Sequence, residues 1–131
     1  MKQKKVKKQR PNVHVEFALS DEACKALSDA LLFLLNLRDF SFDEEKLSSD
    51  SANQAEEKLF DREMTLTRGE VRATAKAIDT VLLRLPDHFE EFAYMEEGLD
   101  YLLEDLKNEL PTLQQLQPVF QTAVSGLRKM K

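Results

Sequence analysis

The sequence predicts a mainly α fold: a four-helix bundle-like domain with a small two-stranded β element near its N-terminus. Three observations carry this. Leucine supplies 21 of 131 residues, while glycine is 3, proline 4 and tryptophan 0. Such leucine-rich stretches with few breakers favour helices over a turn-rich sandwich or barrel. Apolar residues recur at helical spacing behind recognisable caps, and one short stretch alternates with the period of a strand.

That strand is Val13-His14-Val15-Glu16-Phe17-Ala18-Leu19, with apolar side chains at 13, 15, 17 and 19. Ser20-Asp21-Glu22 then offers an N-cap followed by two first-turn acids, which places a helix start there. Ala23, Leu27, Ala30, Leu31, Leu34 and Arg38 trace its inner stripe. Leu31, Leu34 and Leu35 are expected among the least exposed residues. Leu32, Phe33 and Leu37 spread apolar surface round the axis, so the helix is either central to the bundle or covered by a second chain in a homodimer.

Residues 41–57 read as an acidic loop, with a short helix around 53–59. Thr67-Arg68-Gly69-Glu70 is a T-x-x-E capping box, in which each side chain satisfies the other residue's backbone N–H. Behind it Val71, Thr74, Ala75, Ile78, Val81, Leu82 and Leu85 form a helical stripe that Pro86 is expected to stop. Asp87 caps a next helix with inner residues Phe89, Phe92, Met95, Leu99, Leu102, Leu106 and Leu110. Pro111 breaks again, and Leu113, Leu116, Phe120, Val124 and Leu127 mark a last helix in which Pro118 introduces a kink or marks the first turn. A shift of 47 places Leu19-Ser20 on Leu66-Thr67 and Ala30-Leu31 on Ala77-Ile78. Each half then reads as a short strand leading into a helix, with 13–19 paired to about 60–66.

Charge divides the chain into residues 1–11, a flexible basic arm, and 12–131, a single helical domain. Lys2, Lys4, Lys5, Lys7, Lys8 and Arg10 give the first ten residues +6, against −5 for the whole chain. A dense run of like charge cannot bury itself. The arm is a candidate phosphate-binding segment, although no aromatic residue is interleaved to stack on a base. The competing reading is a solubilising tail. No apolar run approaches the ~20 residues of a membrane span, and no apolar h-region follows the basic start, so neither a span nor a signal peptide is expected. One cysteine, Cys24, excludes an internal disulfide and fits a cytoplasmic protein.

Catalytic and cofactor motifs are missing. There is no glycine-rich phosphate loop, no nucleophile elbow and no paired-cysteine ligand set. His14 and His88 lie in different segments, and no second histidine joins His88 and Glu91 to complete a metal site. Cys24 follows acids rather than a basic group, which argues against an activated thiolate. The L-x-x-L-L patterns at 31–35 and 99–103 have the spacing of any core helix. No cofactor and no enzymatic activity are expected.

The expected function is therefore a non-enzymatic cytosolic interaction module (an adaptor, inhibitor or regulator) acting through an acidic helical face. On a helix from Asp87 to Glu109, Glu90, Tyr94, Glu97, Tyr101 and Glu104 fall on the side opposite the core stripe. Both tyrosines of the chain then lie between glutamates. Tyrosine suits a binding hot spot, and the acids would steer a basic protein partner. In the competing reading, neighbouring helices half-cover both rings. Two alternatives remain: a regulator that binds nucleic acid through its arm, and an acidic nucleic-acid mimic that blocks a nucleic-acid-binding protein.

Overall fold

The computed structural model describes residues 13–37, 40–92 and 100–128, and for 87–92 and 100 the backbone alone. Among these residues the protein is mainly α, with four helices and a two-stranded antiparallel sheet. In chain order these are β1 (His14–Glu16), α1 (Asp21–Leu35), α2 (Ser49–Phe60), β2 (Thr65–Thr67), α3 (Arg68–Phe92) and α4 (Asp100–Arg128).

The strand pair forms in nearly the expected place. His14 pairs with Thr67, Val15 with Leu66 and Glu16 with Thr65, and the Phe17 N–H continues the ladder onto the Met64 carbonyl at 3.0 Å. Alternation puts Val15 and Leu66 inward, as a period of two requires. Phe17 then stacks on Phe120 of α4, ring centroids 4.5 Å apart. The sheet is thereby fastened to the last helix.

Caps set the helix starts. The Ser20 hydroxyl accepts the Ala23 N–H at 3.1 Å at the head of α1. At the head of α3 the capping box is complete: Thr67 Oγ1 accepts the Glu70 N–H, and Glu70 Oε1 accepts the Thr67 N–H at 2.8 Å. α2 begins at Ser49, inside the segment read as loop. Ser48 caps it by accepting the Ser51 N–H, and its buried stripe is Ala52, Ala55 and Leu59. Two alanines carry little hydrophobic signal, yet they let α2 approach closely. It ends in a Schellman turn, with Glu63 N–H on the Lys58 carbonyl and Arg62 N–H on that of Leu59. Arg62 there takes the left-handed backbone (φ 66°) usually left to glycine. Gly69 lies close to α2 instead: a Cβ at that position would stand 2.7 Å from Ser51 Oγ, so a side chain there requires the Ser51 hydroxyl to turn away.

The helix boundaries near the prolines differ from expectation. α3 runs through Pro86 to Phe92, and α4 runs through both Pro111 and Pro118. No helix starts at Asp87 or at Pro111. All three prolines are exposed, and a proline on the solvent side leaves its orphaned carbonyl to water. The cost of ~3 kcal/mol per interior proline is offset by burial of Leu85, Leu106, Leu113, Leu116 and Phe120 on the other side, at ~1.5–3 kcal/mol per large side chain.

The core joins all four helices and β2. Leu27, Leu31 and Leu34 of α1 have no exposed surface. Leu35, expected with them, is half-buried, and Phe33 and Leu37 are buried in its stead. The helix is enclosed on more than one face, and of the apolar residues that suggested a second chain Phe33 and Leu37 are covered within this one while Leu32 is half-buried. Arg38 lies outside the described residues, as do Met95 and Leu99 and the side chains of Phe89 and Phe92.

Candidate functional site

Helix α4 separates two surfaces. Leu102, Leu103 and Leu106 are buried, while Tyr101 is 69% exposed and Glu104 is exposed beside it. Residues three apart on a helix are neighbours, so ring and carboxylate share the outer face. The remaining members of the expected stripe are placed otherwise. Glu90 falls in α3, not on the helix of Tyr101, because α3 ends at Phe92 and α4 begins at Asp100. The five residues therefore do not descend one helix. The Glu90 side chain, Tyr94 and Glu97 lie outside the described residues, as does the arm from Lys2 to Arg10. The described chain begins at Val13, just before β1.

A second constellation links α1 to α4. Lys25 Nζ stands 2.7 Å from Asp29 Oδ2, 3.0 Å from Asp105 Oδ2 and 3.1 Å from Glu109 Oε2. Three carboxylates thus surround one ammonium. Burial alone would lower the Lys25 pKa, but hydrogen bonds to the three acids raise it above its ordinary value. Burial, then a hydrogen bond with Asp29 and its charge, push Glu109 up to about 7 against the lowering pull of Lys25. Its Oε1 is buried with no hydrogen-bond partner. A proton on Glu109 gives that carboxyl an O–H to donate to Asp29. The cluster fastens α1 to α4 through Lys25, Asp105 and Glu109. No group of three or more His, Cys, Asp or Glu among the described residues is arranged to hold a metal ion.

A third feature was hidden in the sequence. Two adjoining hollows of about 230 and 180 Å³ form a groove between the first turns of α3 and the last turns of α4. Arg68, Arg72, Lys76 and Arg128 line it, over a floor that includes Val124 and Leu127. Glu45 and Asp79 stand at one end, where Glu45 pairs with Lys76 at 3.1 Å and Asp79 accepts the Gln117 amide at 2.8 Å. Arg72 donates to the Lys46 carbonyl at 3.3 Å. Arg68 and Arg128 have no ion pair among the described residues. The four-residue spacing of Arg68, Arg72 and Lys76 was legible as one helix face. Arg128 joins them only because α3 and α4 pack antiparallel.

Cys24 has no exposed surface, and burial raises its thiol pKa, which makes it an inert core residue. No described helix is long and apolar enough to cross a membrane. Fold and surfaces together define a mainly α protein whose exposed chemistry, among the described residues, is charge and the aromatic rings of Phe60 and Tyr101. Comparison with known proteins finds no family model, curated protein or solved structure that matches the chain.

Proposed function

We propose that the protein is a non-enzymatic cytosolic interaction module, an adaptor, inhibitor or regulator that recognises a protein partner through the outer face of α4. The observation that supports this reading is Tyr101, a large ring left 69% exposed on a helix whose inner face is buried. Aromatic rings of this kind are the usual centres of binding energy. Glu104 beside it favours a partner with a basic surface, through steering more than affinity. Of the three residues that suggested a homodimer, Phe33 and Leu37 are buried within the chain and Leu32 is half-buried, so the reading does not depend on a second copy.

The test is affinity capture from the native host with the full chain as bait, followed by titration of the purified partner. Tyr101→Ala and Glu104→Lys should leave the melting curve unchanged, since both positions are exposed. Tyr101→Ala should lower partner affinity at least tenfold, and Glu104→Lys should slow association. Undiminished partner binding by both folded variants would defeat the assignment.

A further inference from the structure

We infer that the groove between the head of α3 and the tail of α4 is a binding site for the phosphate backbone of a nucleic-acid strand, independent of the α4 outer face. The carrying observation is a convergence of positive charge from separate parts of an acidic chain. Arg68 and Arg72 come from α3 and Arg128 from α4, while Lys76, also on α3, is paired with Glu45 at the end of the groove where Asp79 stands. The register of the sheet sets His14 opposite Thr67, the residue immediately before Arg68. Lys129 and Lys131 follow Arg128 in the sequence.

The form of the groove selects the ligand. A single small anion calls for donors converging on one point, whereas these cations are strung along an open trough. Arg68 and Arg72 are one helical turn apart, about 6 Å along the axis, a step comparable to that between successive phosphates of a strand. Arginine's planar fork suits phosphate oxygens. Phe60, Leu83, Tyr101 and Val119 are the exposed large apolar residues among those described, and none of them lines the groove. Its apolar lining, Val124 and Leu127 among it, is half-buried or buried, so it presents no protruding wedge of the kind a membrane-surface helix uses. It also offers no aromatic platform for bases, so recognition is by backbone charge and indifferent to sequence.

The experiment is fluorescence anisotropy of a labelled single-stranded oligonucleotide titrated with the full chain over a salt series. Wild type should bind at low salt and weaken as salt rises, by ~0.7 in log K per log salt for each phosphate neutralised. Arg68→Gln, Arg72→Gln and Arg128→Gln combined should weaken binding at least tenfold and make the slope shallower by about 2. Amide shift mapping on the wild-type protein should move Arg68, Arg72, Leu127 and Arg128, and it settles the matter even if the triple variant is unstable. Absence of oligonucleotide binding, wild-type affinity in the folded triple variant, or shifts confined to other surfaces would each overturn the inference. So would equal affinity for polyglutamate or for phosphatidylserine vesicles, which would assign the groove to an acidic protein or a membrane.

Discussion

Lys58 Nζ stands 2.7 Å from Glu70 Oε1, an oxygen that also accepts the Thr67 N–H at 2.8 Å. One carboxylate atom thus closes the capping box of α3 and ties α2 to it. The Glu70 side chain is only 1% exposed, and this lysine is its ion-pair partner. Lys58→Met should destabilise the fold by about 2 kcal/mol, because it leaves a buried carboxylate unpaired. Adding Glu70→Gln should recover more than half of that, since the amide oxygen still accepts the Thr67 N–H. Urea midpoints of the two single variants and the double variant check this. Additive losses would show that the pair is not coupled.

Glu109 makes stability depend on pH. Its folded pKa, about 7, lies above the ordinary 4.5, so the folded state holds the proton more tightly than the unfolded chain. That contribution is fully present below about 4.5 and is lost as pH rises through 7. Lys25, Asp29 and Asp105 are the charged groups around it. Glu109→Gln, which resembles the protonated form, should match wild type at pH 4 and exceed it increasingly up to pH 8, by at most about 3 kcal/mol. Denaturation midpoints at several pH values provide the readout, and a constant difference would contradict the assignment.

Leu31 is fully buried and Leu35 half-buried. Leu31→Ala should cost ~2–5 kcal/mol as a cavity-forming truncation, and Leu35→Ala clearly less. Against a typical stability of ~5–15 kcal/mol, the first change can unfold the domain. A near-wild-type melting curve for Leu31→Ala would refute its place at the centre of the core.

Lys46 adopts a left-handed backbone, φ 58°, at the end of a single turn in which Leu47 N–H reaches the Phe42 carbonyl at 2.9 Å. Its side chain is exposed. Lys46→Gly should relieve the clash of Cβ with the following carbonyl and stabilise the protein by up to about 1 kcal/mol, less the entropy that glycine adds to the unfolded chain. Thermal unfolding checks the sign.

The candidate surfaces were legible to unequal depth. Tyr101 and Glu104 were picked out by helical spacing, and the structure leaves both exposed on α4. Their grouping with Glu90 rested on a helix start at Asp87, and Pro86 inside α3 removes it. A proline reads in sequence as a break, but its effect depends on whether it faces solvent. The groove left one trace, the spacing of Arg68, Arg72 and Lys76. Lys25 left only its pairing with Asp29 four residues on, because its other partners, Asp105 and Glu109, are 80 and 84 residues away.

Local chemistry set the starts of α1 and α3 and the inward face of β1. A cap, a capping box and an alternating stretch act within one turn or one strand, so neighbouring residues contain the whole interaction. The course of α4 through Pro111 and Pro118, the enclosure of Phe33 and Leu37, and the meeting of Arg68 with Arg128 came from packing. Each depends on which surface a distant helix covers. That choice is made by the burial of the assembled core, whose free energy outweighs the preference of any one segment.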